Sequence, residues 1–179
     1  AGQPALRMNA TGHLGTAVRR GLLALLLWLV TGPAQALCVS PLCSCSVATT
    51  HVVFGSYNPL TSGNTDSTGS VRVSCGGVAG LLIPYQIDIT RGGGISYGAR
   101  RMNSGANQLA YNLYTDNTYL TIWGDGSGGS QSVPGGILLD VLGLSPPQTH
   151  WIYGRIPGAQ TTAVPGGYVD TITVTVTYN

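Results

Sequence analysis

The reactive side chains of this 179-residue chain are four cysteines, three histidines and six aspartates, with no glutamate and no lysine. Cys38, Cys43, Cys45 and Cys75 are an even set, which in an exported chain reads as disulfides with three possible pairings. Cys38, Cys43, Cys45 and His51 would together supply four zinc ligands. Their spacing is irregular, however, and an oxidising compartment disfavours free thiolates. Gly94-Ile95-Ser96-Tyr97-Gly98 has the G-x-S-x-G form of a hydrolase nucleophile elbow, which requires a strand before the serine and a helix after it. Here a triple glycine precedes and an arginine-rich turn follows, and only His51 and His150 are available as a base. Gly124 to Gly129 has the G-x-G-x-x-G form with no helix start behind it to hold a phosphate, so it reads as a glycine-rich hairpin.

The remaining polar candidates are dispersed. Asp116, Asp125 and Asp170 are too far apart for paired-carboxylate catalysis and read as turn caps or partners of Arg100, Arg101 and Arg155. A calcium loop at Asp116 or Asp125 would have few neighbouring oxygen ligands. Trp123, Trp151 and Tyr153 would suit either a sugar-stacking platform or a sandwich core. No catalytic, metal or cofactor site is expected, and the chain does not read as an enzyme.

The elements that position these residues begin after a leader. Arg19 and Arg20 flank the apolar run Gly21 to Val30, and Ala34-Gln35-Ala36 supplies a small-x-small cleavage site, so residues 1–36 read as signal peptide and leader, with Met8 a possible initiator. The apolar run is about half of the ~20 residues that span a bilayer. The formal charge of +2 belongs largely to this leader, which holds Arg7, Arg19 and Arg20. Residues 37–179 retain five arginines against six aspartates, which leaves no electrostatic footprint for nucleic acid.

Residues 37–179 alternate as half-buried strands do. Val71, Val73 and Cys75 share one face, as do Tyr85, Ile87 and Ile89, and Leu109, Tyr111 and Leu113. Ile172, Val174, Val176 and Tyr178 face one way and Thr171, Thr173, Thr175 and Thr177 the other. His51 reads as a strand residue beside Val52 and Val53. Turn signals stand at Asn58-Pro59, Gly92 to Gly94, Gly124 to Gly129, Pro134-Gly135-Gly136 and Pro165-Gly166-Gly167. About seven strands at this spacing predict a single all-β sandwich domain. One segment departs from alternation: Ile137, Leu138, Leu139, Val141, Leu142 and Leu144 crowd between Gly and Pro brackets. They predict either a buried strand or short turn closing one end, or an exposed apolar loop that contacts a surface or partner.

The order and spacing of these pieces resemble the spore coat protein U domain family. The resemblance rests on Cys45-Ser46-Val47, Phe54-Gly55-Ser56-Tyr57, Ser70 to Cys75, Tyr85 to Ile89, Arg101-Met102-Asn103, Leu109 to Asp116, Trp123 to Gly126, Tyr153 to Pro157 and Gly167 to Val176. It covers Cys45 to Asn179. The family includes subunits of archaic chaperone–usher pili. The resemblance therefore implies an incomplete immunoglobulin-like β-sandwich whose missing strand comes first from a periplasmic chaperone and then from a neighbouring subunit, with an outer-membrane usher as the assembly platform. It implies a Cys45–Cys75 disulfide, with Cys38 and Cys43 forming a local extra bridge or staying unpaired. It places the donor-strand groove along Ile172, Val174, Val176 and Tyr178, because the chain ends at Asn179 with nothing left to cover that side.

The chain also departs from the family pattern. A polymerising subunit carries an alternating apolar donor ahead of its first cysteine, whereas Leu37 to Ser44 is short and contains Pro41 and two cysteines. This predicts a subunit that accepts a strand without giving one, at a fibre tip or in an accessory coat. The competing expectation is a monomeric secreted binding module for carbohydrate or surfaces. Both would be exported through the periplasm to the cell surface.

Overall fold

The structure is a computed structural model and describes residues 43–140 and 142–178. The expected leader and Cys38 lie outside the described residues, as do most of the short N-terminal segment and Val141. Eight strands form among the described residues: β1 (Cys43–Thr50), β2 (Thr65–Gly77), β3 (Leu82–Ile89), β4 (Arg100–Ser104), β5 (Asn107–Tyr114), β6 (Val133–Leu138), β7 (Gln148–Ile156) and β8 (Val174–Tyr178). A single 3-10 turn, Tyr97–Ala99, precedes β4. The strands make a five-stranded sheet in the order β1-β2-β7-β5-β4 and a three-stranded sheet in the order β6-β3-β8, antiparallel throughout.

Alternation decides what lies inside. Val71 and Val73 of β2, Leu109 and Leu113 of β5, and Ile152 and Ile156 of β7 are buried, as are Ile83, Ile87 and Ile89 of β3 in the other sheet. Each such side chain contributes roughly 1.5–3 kcal/mol by leaving water. Trp123 is fully buried among them. Its indole Nε1 donates to the Ile87 carbonyl at 3.2 Å, and its backbone N donates to the Leu113 carbonyl at 3.0 Å. It is thus a tie between the sheets and not an exposed stacking ring.

Cys45 and Cys75 are directly opposite in the β1–β2 ladder and form a disulfide. Cys43 is also disulfide-bonded. The four-ligand zinc arrangement is thereby overturned, because Cys43 and Cys45 are oxidised. Two other expectations are corrected. Pro134-Gly135-Gly136 is not a turn but part of β6. A proline is tolerated there because β6 is an edge strand. Gly135 is required because a Cβ would stand 2.4 Å from the Tyr85 ring across the ladder. His51, Val52 and Val53 do not lie in a strand, since β1 ends at Thr50.

Candidate functional site: an open groove at the sheet edge

The reason β1 ends there is also what builds the site. Gly69 of β2 and Gly154 of β7 leave a hollow on the inner face of the larger sheet. Side chains of Val52 and Phe54 occupy it, at 2.9 Å and 2.6–2.8 Å from where those two Cβ atoms would be. Segment 51–57 is drawn off the β1–β2 ladder and across the sandwich. Ser67 Oγ donates to the Val53 carbonyl at 2.7 Å, and Tyr57 Oη donates to the Pro157 carbonyl at 2.9 Å, fixing both ends of the crossing. Phe54 packs edge-on to Tyr111 at 6.1 Å between centroids.

Opposite this segment, residues 163–173 lead into β8 and are pinned just as firmly. Asn103 and Val169 exchange backbone hydrogen bonds of 2.8 and 3.0 Å. Asp170 accepts from the Gly93 N–H at 2.8 Å and from Tyr111 Oη at 2.7 Å. Burial and that bond to Asp170 push the Tyr111 hydroxyl far up from its ordinary range, so it stays a donor. Thr90 and Thr173 exchange backbone and side-chain bonds of 3.0 Å.

Between these two walls runs a groove of about 840 Å³. Its floor is the inner face of the larger sheet, including Met102, Leu109, Leu113, Ile152 and Ile156, and Ile172 and Val174 lie on its rim. β8 pairs with β3 alone among the described strands, so its groove-side edge presents unpaired main-chain groups. Val47 is 43% exposed although its cross-strand partner Val73 is fully buried.

Of the four residues expected to mark the groove, two lie along it. Ile172 and Val174 line it; Val176 and Tyr178 are half-buried on the same face of β8, packed against the core. The wall formed by Val52, Phe54 and Tyr57 was not anticipated. Glycines inside the strands at 69 and 154 were the available signal, since an interior strand glycine marks close approach of another segment.

The apolar run after β6 is split. Ile137 and Leu139 are core, which corrects their place in an exposed loop: Ile137 lies opposite Ile83 in the β3–β6 ladder, and Leu139 exchanges backbone bonds with the β2–β3 turn. Leu138, Leu142 and Leu144 point out, at 63%, 77% and 59% exposure. Leu138 stands opposite Leu82, also exposed, and Gly77 N donates to the Gly143 carbonyl at 2.9 Å, which brings exposed Val78 to the same end. Asp140 Oδ1 accepts from the N–H groups of Leu142 and Leu144 at 2.8 and 3.0 Å and holds the turn. The result is an exposed apolar ledge.

The other motifs resolve into structural roles. Ser96 precedes a single 3-10 turn with no strand–serine–helix context. Asp116 caps its turn through Thr118 and Thr121, and Asp125 caps through Ser127. Arg100 is buried and forms no ion pair with a carboxylate among the described residues. It donates to Asn112 Oδ1 and to the Thr90 and Trp123 carbonyls at 2.8–2.9 Å, and burial lowers its pKa. No group of three or more His, Cys or Asp side chains among the described residues is arranged to hold a metal ion.

A family profile for the spore coat protein U domain matches residues 34–175. The chain belongs to the spore coat protein U domain family. Protein U of Myxococcus xanthus is 32% identical over 135 residues, covering 70% of each chain. Among solved structures, the CsuC–CsuE chaperone–tip adhesion subunit pre-assembly complex from the archaic chaperone–usher Csu pili of Acinetobacter baumannii aligns with a TM-score of 0.45 at 20% identity. That alignment covers 75% of this chain and 40% of the other. Among the described residues of this spore coat protein U domain, the groove and the ledge both leave apolar side chains uncovered.

Proposed function

We propose that this chain is an exported structural subunit of a surface pilus or coat, assembled by donor-strand exchange. The observation that carries the proposal is the groove, walled by segment 51–57 and residues 163–174 and bordered by the unpaired edge of β8. An unpaired strand edge over an apolar floor is an aggregation template that must be covered. An extended strand satisfies it with main-chain bonds to β8 and alternate side chains in the groove. Membership in the spore coat protein U domain family supports the same reading. The partners are then a periplasmic chaperone, an outer-membrane usher and neighbouring subunits, and the destination is the cell surface. The ledge of Val78, Leu82, Leu138, Leu142 and Leu144 favours a tip or adhesive position, because clustered exposed apolar side chains mark an interaction surface.

The test is to append a glycine-rich linker and an alternating apolar strand after Asn179. β8 runs antiparallel to β3, so a hairpin beyond it runs back along its free edge, and a short tether supplies millimolar effective concentration. The fused chain is expected to be soluble, monomeric and much more heat-resistant than residues 37–179 alone. If residues 37–179 are already a stable monomer by sedimentation and the added strand brings no gain, donor exchange is wrong. The protein is then a self-sufficient binding module.

A further inference from the structure

The outer face of the five-stranded sheet carries a third surface, apart from the groove and the ledge. Along β7 the buried residues Ile152, Gly154 and Ile156 alternate with Trp151, Tyr153 and Arg155, which therefore face outward. Trp151 is 55% exposed. Trp151 and Tyr153 stand about 7 Å apart along the strand, at ~3.4 Å per residue.

The ring of Tyr119 closes over the end of this row. It meets Tyr153 edge-to-face at 6.4 Å and Tyr114 at 5.5 Å, and the Arg155 guanidinium lies 3.5 Å from its centroid. Arg155 in turn holds Asp66 through two hydrogen bonds of 2.7 Å. Tyr119 has φ of 59°, a left-handed conformation that a bulky residue adopts only when its surroundings impose it. The imposing group is Asp116, which accepts from the N–H groups of Thr118 and Thr121. A tyrosine that packed nowhere would have no reason to bear that strain.

We infer that this row is a binding platform for an uncharged pyranose glycan, with Trp151 as the stacking ring and the Asp66–Arg155 pair as hydroxyl ligands. Three features select that occupant. The axial C–H faces of a pyranose pack on an open indole, and the two-residue step from Trp151 to Tyr153 is close to the length of a sugar unit in an extended chain. Asp66 and Arg155 neutralise each other and offer fixed donors and acceptors to a polyhydroxyl ligand, while Arg72, outward on β2 opposite Thr149, is a single further cation and gives a polyanion little to hold. The rings and the ion pair are locked by one another before any ligand arrives, which is the pre-organisation that a weak, repeating ligand requires.

Isothermal titration of the strand-appended chain with chitohexaose and, separately, cellohexaose tests this. At least one hexaose is expected to bind. Trp151→Ala should weaken it by about tenfold or more, while Trp151→Phe, which keeps a stacking ring, should stay within about threefold. Because Trp151 is exposed, Trp151→Ala should melt with the parent, and that measurement separates lost contact from lost fold. The inference is overturned if neither hexaose binds at millimolar concentration, if Trp151→Ala binds as the parent does, or if oligothymidine binds equally well. None of these outcomes bears on donor exchange, which the appended-strand experiment reads independently.

Discussion

Replacing Gly154 with alanine probes whether close approach is what sets the groove wall. The added Cβ would lie 2.6 Å from Val52 Cγ1 and 2.8 Å from Phe54 Cζ, where carbon atoms in good contact stand about 3.5–4.0 Å apart. About 1 Å must be found. The obstructing atoms are side-chain ends on segment 51–57, which no ladder holds, whereas β7 is bonded to β2 and β5 on its two sides. The wall should therefore move before the sheet does, at an overpacking cost of about 1–3 kcal/mol. Urea unfolding of the strand-appended chain measures this, with Gly167→Ala as control because nothing lies within 4 Å of that position. Adding Val52→Ala to Gly154→Ala should restore part of the loss, since the two sites are in contact and their effects should not add. A Gly154→Ala protein within about 0.5 kcal/mol of its parent, a change typical of unconstrained surface sites, would refute the reasoning.

Three further outcomes are expected. Replacing Cys45 and Cys75 together with alanine should cost about 3–4 kcal/mol, from the chain entropy of a closure spanning 30 residues, and non-reducing peptide mapping should show this pair in the parent. Changing Leu138 and Leu142 to serine should abolish surface adhesion with little change in melting temperature, whereas Ile137→Ala, in the core, should cost about 2–5 kcal/mol. His150 lies 2.8 Å from Tyr85 Oη between the sheets, and burial lowers its pKa from the ordinary 6.5. The unfolded chain then binds the proton more readily, so stability should begin to fall as pH drops below about 6.5 and continue falling through the lower folded pKa. A His150→Gln chain should lack that part of the acid loss in urea titrations at pH 7 and pH 5.

Strand faces were legible wherever burial is decided by period two within one segment, as at Val71-Val73-Cys75 and Tyr85-Ile87-Ile89. Reading failed where a residue answers to a distant partner. Gly135 looked like turn chemistry because the Tyr85 ring that requires it is fifty residues away. Val52 and Phe54 alternate as a strand would, yet they turn inward onto hollows left by Gly69 and Gly154 in two other strands. Trp123 and Trp151 are indistinguishable by type; only the course of the chain buries one and exposes the other. The same holds for the groove. One face of β8 was visible in Ile172, Val174, Val176 and Tyr178, but its opposite wall depends on where segment 51–57 crosses.

The position of the Cys45–Cys75 bond, two residues into β1, has a mechanical consequence. Tension entering the chain ahead of Cys45 passes through the sulfur atoms directly to Cys75, bypassing the rest of β1, the crossing segment 51–57 and most of β2. At ~3.3–3.6 Å per extended residue, the 30-residue span withholds about 100 Å of contour. While the bond is oxidised, the wall formed by segment 51–57 is bypassed when the subunit is pulled from its N-terminal side, and that side of the strand seat keeps its shape under force. Reduction would place that wall in the load path, and the same pull would strip Val52 and Phe54 from their hollows before it reached the core of β2.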